Sequence, residues 1–307
     1  KKMGYWVDLE NPYITFDNKY IESVWYLLSQ LYKKNLLYKG FSIQPYSPAA
    51  GTGLSSHELN LPGCYKDIKD TTVVAQFKVK TTQKNKKCPW GFPEGEAIPD
   101  NLYLLAWTTT PWTLPSNTAL AVGVNIEYLL VQTFNPYLGT PIFVVLAKNL
   151  KETYFPEKNS DLSFEDYKPG DKNTPYRIIA QTVGKELIGL EYEQLIPYVN
   201  PGENAFRVIA GDYVTTEDGT GIVHIAPTFG ADDKRVAQEA NIPPLTLLDK
   251  QGNWQPMVDR TGKFYPIAEL DEQFVQNKVD RELYGQVAGR FVKEDYEPNN
   301  DKSEEPL

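Results

Sequence analysis

A run of short segments, rich in β-branched and aromatic residues and bounded by proline, glycine or asparagine, is the feature that most constrains the fold. The segments are residues 71–79, 102–109, 118–122, 127–133, 141–146, 176–183 and 221–225. Such residues favour strands, and Pro, Gly and Asn favour the turns between them. The chain also has 23 prolines, which limit long helices. The pattern predicts a mainly β domain with a few helices, built as a closed or partly closed β-barrel.

Four segments have the apolar spacing of helices. Residues 17–38 are the clearest, with Asp17 or Asn18 as a cap and Gly40 placed to stop the helix. The others are residues 147–154, 231–240 and 267–281. Changes in composition predict three parts: a helical stem and turn-rich ribbon over 1–69, a β domain over 70–292, and an acidic, proline-broken tail over 293–307. We expect the tail to be disordered.

Charge and cysteine content exclude several classes of function. With 31 Lys and Arg against 40 Asp and Glu, the net charge is −9, which argues against non-specific nucleic-acid binding but not against a partner held by a local patch. No apolar run is long enough to span a membrane, and no signal peptide is evident. Two cysteines cannot build a disulfide framework or a four-cysteine zinc site. These features predict a cytoplasmic domain without metal.

The first candidate site is the end of a strand that runs into three threonines, Trp-Thr-Thr-Thr-Pro-Trp-Thr-Leu-Pro-Ser-Asn over residues 107–117. Alternation places Thr108 and Thr110 on one face and Thr109 on the other. Pro111 then ends the strand. Hydroxyls and the Asn117 amide can hold a water or a ribose hydroxyl, and the two indoles can line an apolar pocket. The alternative is structural, because Thr favours strands and Trp is usually found in cores.

The second candidate site lies in residues 218–233, Asp-Gly-Thr-Gly-Ile-Val-His-Ile-Ala-Pro-Thr-Phe-Gly-Ala-Asp-Asp. His224 falls near the end of a strand, and Asp232 and Asp233 fall in the first turn of the following helix. The helix dipole stabilises negative charge there, so a carboxylate could stay ionised to bind an ammonium group. The alternative is that one aspartate only caps the helix and that His224 is a core residue.

The remaining features of the sequence are weaker evidence for a functional site. His57, the one other histidine, follows a turn-rich ribbon and is interpreted as a surface or hinge residue. Cys64 and Cys88 have no partners at metal-binding spacing and are interpreted as structural. The basic run at 84–87 is interpreted as a solvated surface, with contact to a phosphate backbone as the alternative. The chain has no phosphate-binding loop and no dinucleotide fingerprint.

Together the two motifs resemble the editing domain inserted into class I aminoacyl-tRNA synthetases of the isoleucyl, valyl and leucyl group. The threonine strand followed by Pro111 is one signature, and Gly-Thr-Gly-x-Val-His-x-Ala-Pro with an aspartate nine residues after the histidine is the other. Residues 107–117 are similar to the isoleucyl version, since the other two carry an arginine where this chain has Thr110. Stretches 22–32, 47–58 and 184–192 agree, so the resemblance covers nearly the whole chain.

The resemblance implies post-transfer editing, in which valine esterified to the terminal adenosine of tRNA(Ile) is hydrolysed. It implies that Asp233 binds the α-ammonium group, that His224 limits the side-chain pocket, and that Trp107 helps to wall the site. The residues that would position the ester, the ribose and the attacking water are Thr108, Thr109, Thr110 and Asn117. No nucleophile–base pair is evident, so the expected mechanism uses an oriented water, helped by the free ribose hydroxyl.

The resemblance covers the insertion only, because both signature motifs of the synthetic active site are missing from this sequence. We therefore expect no cofactor here; ATP and Mg²⁺ would serve the synthetic site of the parent enzyme. The implied partners are the 3′ end of mischarged tRNA(Ile) and the rest of the synthetase in cis, to which the stem would connect. Two alternatives stay open: a valyl-type editing domain that clears threonyl-tRNA(Val), and a non-catalytic module that binds the aminoacyl-tRNA 3′ end.

Overall fold

The computed structural model describes residues 10–40, 42–47, 50–81 and 99–293, together with Gly4, Asp8 and Trp90. The chain divides into two units, residues 1–42 and 43–307. The basic run at 84–87, Cys88 and the tail beyond residue 293 lie outside the described residues, so their interpretations are untested. The division into stem, β domain and tail stays a prediction.

Helix α1, Asn18–Lys33, is the main element of the first unit. Asp17 caps it as predicted, with Oδ1 accepting a hydrogen bond from the amide of Lys19 at 2.8 Å. The helix ends before the predicted residue 38, because Asn35 adopts a left-handed φ of 56°. The amide of Leu36 then donates to the carbonyl of Leu31 at 3.0 Å, which closes the last turn. Asparagine tolerates this conformation better than most residues, so the helix stops before Gly40.

The second unit is built mainly of strands. Their bounds are β1 Tyr46–Ser47, β2 Thr52–Gly53, β3 Val73–Lys78, β4 Leu102–Thr108, β5 Ala119–Val122, β6 Glu127–Phe134, β7 Pro141–Ala147, β8 Arg177–Val183, β9 Arg207–Ala210, β10 Ile222–Ile225, β11 Leu247–Leu248 and β12 Trp254–Gln255. Every strand segment predicted from the sequence is present, with its ends shifted by a residue or two. The sequence does not predict strands β1, β2, β9, β11 and β12.

Short helices connect these strands. They are α2 Ser56–Leu59, α3 Lys151–Tyr154, α4 Gly184–Leu187, α5 Ala231–Glu239, α6 Glu272–Lys278 and α7 Arg281–Gly285, with 3₁₀ turns at Pro111–Ser116, Lys148–Leu150, Glu157–Asn159 and Ile267–Glu269. The helix predicted over 231–240 is confirmed as α5. Within the described ranges, no helix combines the length and apolar character needed to cross a membrane.

The single helix predicted over 267–281 is wrong. The structure has a 3₁₀ turn followed by α6 and α7, each begun by its own aspartate. Asp271 Oδ1 accepts from the amide of Phe274 at 2.8 Å, and Asp280 Oδ1 accepts from the amide of Leu283 at 2.9 Å. Both aspartates have extended backbones. An aspartate that caps the turn after it competes with continuing the helix before it, which is why the segment is broken.

Two sheets form the body of the second unit. The larger has the strand order β3-β4-β7-β6-β8, in which β4 and β7 are parallel and the other neighbours antiparallel. The smaller has the order β10-β5-β9, with β5 antiparallel to β10 and parallel to β9. The predicted fold class, mainly β with a few helices, is confirmed.

Backbone hydrogen bonds join the two sheets at two places. At the first, the amide of Lys80 after β3 donates to the carbonyl of Glu191 at 2.9 Å. The amide of Tyr192, which follows Glu191, donates to the carbonyl of Phe206 before β9, also at 2.9 Å. At the second, the amide of Ala147 in β7 donates to the carbonyl of Thr220 before β10 at 2.8 Å. The strands therefore wrap around a shared core in the manner of a partly closed barrel.

The core between the sheets fixes the position of β10. It is formed by side chains from both sheets, including Phe77, Leu104, Leu120 and Val208. Buried among them, the Tyr128 hydroxyl accepts from the amide of Gly123 at 3.1 Å and donates to the carbonyl of Gly221 at 2.6 Å. Gly221 has a φ of 73°, and a Cβ there would lie 2.3 Å from the Cβ of Ala147. Only glycine allows the chain to enter β10 this close to β7.

Candidate active site

The threonine segment forms a small hydroxyl network where β4 ends. As alternation predicts, Thr108 and Thr110 lie on the same side, with their Oγ1 atoms 3.4 Å apart. The amide of Thr110 also donates to Thr108 Oγ1 at 3.0 Å. Pro111 ends the strand and starts a 3₁₀ turn. In such a turn residues three apart are aligned, so Thr113 falls beside Thr110, with their Oγ1 atoms 3.4 Å apart.

The second segment folds into a tight turn between β10 and α5. The amides of Phe229 and Gly230 both donate to the carbonyl of Ala226, at 2.9 and 3.2 Å. Asp233, in the first turn of α5, folds back so that its Oδ2 accepts from the amide of Ala226 at 2.9 Å. A Cβ on Gly230 would lie 2.7 Å from Asp233 Cγ, so the carboxylate occupies the space that a side chain would need. The turn therefore positions the Asp233 carboxylate.

The two segments meet. Thr113 Oγ1 lies 3.0 Å from Nε2 of His224, a residue 111 positions away in the sequence. Beside this contact, the rings of Trp112 and Phe229 pack edge to face with centroids 5.1 Å apart. The antiparallel pairing of β5 with β10 brings the segments together, since β5 follows the threonine turn directly and β10 ends just after His224. The hydroxyl network and the imidazole are thus in contact, and the hydrogen bond of Asp233 to Ala226 holds the start of α5 two residues beyond His224.

Burial sets the protonation of the site. His224 is 8% exposed, and the loss of hydration lowers the pKa of its imidazole to about 4. Burial also raises the pKa of the Asp233 carboxyl; the charge of Asp232 acts in the same direction, and the hydrogen bond from Ala226 opposes both. The imidazole is therefore neutral at physiological pH. A bound ammonium would favour the ionised carboxylate of Asp233, as any close opposite charge does.

Asp232 and Asp233 have different surroundings, which their adjacent positions in the sequence did not reveal. The side chain of Asp232 is 77% exposed, with Oδ1 4.0 Å from Nε of Arg235. Asp233 faces the turn and is half-buried. Of the two carboxylates, Asp233 is the one held within the site.

The other predicted site residues lie near this network but are placed differently. The Asn117 amide is committed to the protein: Nδ2 donates to the carbonyl of Ala119 at 2.8 Å, and Oδ1 accepts from the Tyr192 hydroxyl at 2.7 Å. Thr109 is exposed. Trp107 is half-buried, and its ring lies against Gly219, where a Cβ would come within 2.9 Å of it. The roles predicted for these three residues stay predictions.

Thr113 is the site residue that sequence reasoning missed. It lies within the threonine segment, residues 107–117, where neither strand alternation nor the family resemblance indicates a role for it. The signal that could have identified it is the period of three that a 3₁₀ turn after Pro111 would impose, which aligns Thr113 with Thr110. Among the described residues, no group of three or more His, Cys, Asp and Glu side chains is arranged to hold a metal ion.

Residues 1–277 match the model of a protein family described as tRNA synthetases class I (I, L, M and V). The match covers most of the chain. The chain belongs to this family. The family resemblance carried by the two sequence motifs is thereby confirmed.

Relatives of this class I synthetase chain include isoleucine--tRNA ligases. That of Bacteroides fragilis is 64% identical over 306 residues, which is 100% of this chain and 26% of the relative. That of Porphyromonas gingivalis is 60% identical over 307 residues, again 100% of the chain and 26% of the relative. That of Clostridium tetani is 42% identical over 276 residues, 90% of the chain and 22% of the relative. The chain thus spans about a quarter of the length of the curated relatives it matches.

Two solved structures show weaker likeness to this synthetase chain. The crystal structure of GlLeuRS-CP1 gives a TM-score of 0.42 at 16% identity, covering 74% of this chain and 92% of that one. The cytosolic leucyl-tRNA synthetase editing domain of P. knowlesi gives 0.38 at 14% identity, covering 60% and 73%. Likeness at this level assigns no function.

Proposed function

We propose that this chain is the editing part of an isoleucine--tRNA ligase and that it hydrolyses valine from mischarged tRNA(Ile). The observation that carries the proposal is the contact of Thr113 Oγ1 with His224 Nε2 at 3.0 Å, because it joins the two motif segments in one site. The high identity to isoleucine--tRNA ligases along the whole chain favours the isoleucyl parent. Synthesis with ATP and Mg²⁺ would belong to the remainder of that parent.

Each part of the site has a proposed role. The Asp233 carboxylate binds the α-ammonium group of the aminoacyl ester through a charge-assisted hydrogen bond. The hydroxyls of Thr108, Thr109 and Thr110 position the ester, the ribose and the attacking water. The neutral His224 ring limits the size of the side-chain pocket without adding a positive charge beside the ammonium. Trp107 helps to wall the site, and Asn117 helps the threonines to position the ester, the ribose and the attacking water.

A separate hydrolytic site compensates for the limited selectivity of a synthetic site. A hydrophobic synthetic pocket separates isoleucine from valine, the standard example of this problem, by only about 1–3 kcal/mol for the missing methylene. A hydrolytic pocket that admits valine and excludes isoleucine by size removes the resulting error. The net charge of −9 is consistent with a tRNA body held mainly by other parts of the parent enzyme.

The test is deacylation of valyl-tRNA(Ile) by the chain and by the full-length enzyme that contains it. We expect Asp233→Ala to lower kcat/KM about 10- to 100-fold, the value of a hydrogen bond to a charged group. Asp232→Ala is the matched control, and we expect its rate to stay within about threefold, since exposed ion pairs contribute little. A full rate for Asp233→Ala would show that the site is wrongly assigned.

A panel of esters separates the alternatives. Valyl-tRNA(Ile) should be hydrolysed and isoleucyl-tRNA(Ile) should be spared. Preference for threonyl-tRNA(Val) over the valyl ester would instead establish the valyl-type editing activity. Tight binding of an aminoacyl-adenosine analogue without turnover, in both the chain and the full-length enzyme, would establish a binding module.

A further inference from the structure

His224 has one partnered ring nitrogen and one without a partner. Nε2 lies 3.0 Å from Thr113 Oγ1. Nδ1 is buried and has no hydrogen-bond partner among the described residues. A neutral imidazole carries a single proton on one of these two nitrogens, and the other nitrogen is then an acceptor. The position of that proton decides what the buried nitrogen can bind.

The hydroxyl of Thr113 determines which imidazole nitrogen carries the proton, because that hydroxyl has only one proton to donate. Thr113 Oγ1 donates that proton to the carbonyl of Thr110 at 2.8 Å. The Thr113 oxygen can therefore only accept from His224. It follows that Nε2 carries the imidazole proton and donates it to Thr113.

The opposite tautomer would leave one group unsatisfied and would remove a second hydrogen bond. A proton on Nδ1 would be a buried N–H without an acceptor, which is rarer in proteins than an acceptor without a donor. Nε2 would then need the proton of Thr113, and the carbonyl of Thr110 would lose the bond from that hydroxyl and keep only the one from the amide of Thr113 at 3.0 Å. Both effects favour the proton on Nε2.

We propose that Thr113 is a positioning residue that holds His224 in the Nε2–H tautomer, so that Nδ1 is a fixed hydrogen-bond acceptor. The tautomer itself does not depend on the proposed function, but its use in editing rests on it. A neutral ring whose one proton is donated to Thr113 places no cation near the ammonium bound by Asp233, and its Nδ1 presents only an acceptor to a group that reaches it. A ring of the other tautomer would present a donor there.

The test is direct because the chain has only two histidines, His57 and His224. In the full 307-residue chain labelled with ¹⁵N at histidine, correlation of each ring nitrogen with the ring protons distinguishes a protonated from an unprotonated Nδ1. At neutral pH we expect His224 to show a protonated Nε2 and an unprotonated Nδ1. The exposed His57 provides a solvent-exposed reference, and His57→Asn assigns the signals. A protonated Nδ1 in His224 would overturn the proposal.

Two substitutions isolate the hydroxyl. Thr113→Ser keeps it, and we expect the wild-type pattern of nitrogen shifts. Thr113→Val replaces it with a methyl group of the same shape, and we expect both nitrogen shifts of His224 to move toward the average of the two tautomers. A wild-type pattern in Thr113→Val would show that Thr113 does not set the tautomer. Should the valine variant fail to fold, the wild-type spectrum still decides where the proton lies.

Deacylation kinetics test the use of the acceptor. We expect Thr113→Val to lower kcat/KM about tenfold and Thr113→Ser to stay within about twofold, as for the loss or retention of one hydrogen bond. Loss of the tautomer with a full rate would overturn the role in editing. A wild-type chain with the expected tautomer but no hydrolysis of any ester would contradict the proposed function and leave the tautomer assignment standing.

Discussion

At the residue scale, the site depends on a glycine that leaves room for a carboxylate. Gly230 has an ordinary φ, so its backbone could accept another residue. What excludes a side chain is Asp233, whose Cγ would lie 2.7 Å from a Cβ at that position. The requirement for glycine is thus a property of the site rather than of the turn.

Gly230→Ala should therefore displace the carboxylate. A shift of about 1 Å in a reacting constellation can lower a rate about 100-fold, and we expect a loss of that order in deacylation. Gly285→Ala is the matched control, because the nearest atom to its Cβ would be Ile267 Cδ1 at a comfortable 3.9 Å. Equal rates for the two variants would contradict the placement of Asp233.

His224 makes stability depend on pH. Its pKa is about 4 in the folded chain against an ordinary value of 6.5, so between these values the unfolded chain binds the proton that the folded chain does not. The contribution is complete above about pH 6.5 and is lost as the pH falls toward 4, by roughly 3 kcal/mol in total. Urea unfolding of the wild type and of His224→Asn across this range should show a shallower loss in the variant. His57→Asn should behave like the wild type; a wild-type slope in His224→Asn would contradict the assignment.

At the element scale, hydrogen bonds join the larger and smaller sheets at the start of β10. The amide of Ala147 donates to the carbonyl of Thr220, and the Tyr128 hydroxyl donates to the carbonyl of Gly221. Burial raises the pKa of Tyr128 to about 12, so this hydroxyl keeps its proton. Because His224 lies in β10, the same hydrogen bonds fix the position of its imidazole.

Gly221→Ala should disrupt these hydrogen bonds between the two sheets. The new Cβ would clash with Ala147 and would force a left-handed backbone on alanine, and we expect the free energy of unfolding to fall by about 3 kcal/mol or more. Gly252 has a similar φ of 80° but open space around it, so Gly252→Ala measures the backbone effect alone, about 1 kcal/mol. Denaturant unfolding compares the two. A cost for Gly221→Ala no greater than that control would show that the close approach to β7 is relieved elsewhere.

At the scale of the whole molecule, every residue of the candidate site lies in the second unit, residues 43–307. The buried hydrophobic clusters of the described residues also lie there. Helix α1 in the first unit has no buried residue. The second unit therefore has its own core and its own site.

A chain that begins at Ile43 should fold and keep the site. We expect the shortened chain to show the near-UV circular dichroism of a folded protein, because a domain with its own core folds independently. Its deacylation rate should stay within about threefold of that of the full chain. The matched control is the same shortened chain carrying Asp233→Ala, which should be impaired. Failure of the shortened chain to fold would show that residues 1–42 contribute to the stability of the β unit.

The sequence by itself determined most elements of this protein and much of its candidate site. Propensity and turn residues located the strands, alternation placed Thr108 and Thr110 on one side, and the motif spacing selected His224 and Asp233. These features are local, since each follows from residues a few positions apart. Helical spacing alone predicts one helix over 267–281, whereas the caps at Asp271 and Asp280 divide the segment.

The tertiary structure decided which of these groups act on one another. Thr113 meets His224 only because β5 pairs with β10, and the Asn117 amide is taken up by Tyr192, 75 residues away, because the chain returns beside β9. The turn around Gly230, rather than the sequence spacing, separates Asp233 from its neighbour Asp232. Contacts between distant segments depend on how the sheets wrap around their common core, and no local pattern of residues encodes that arrangement.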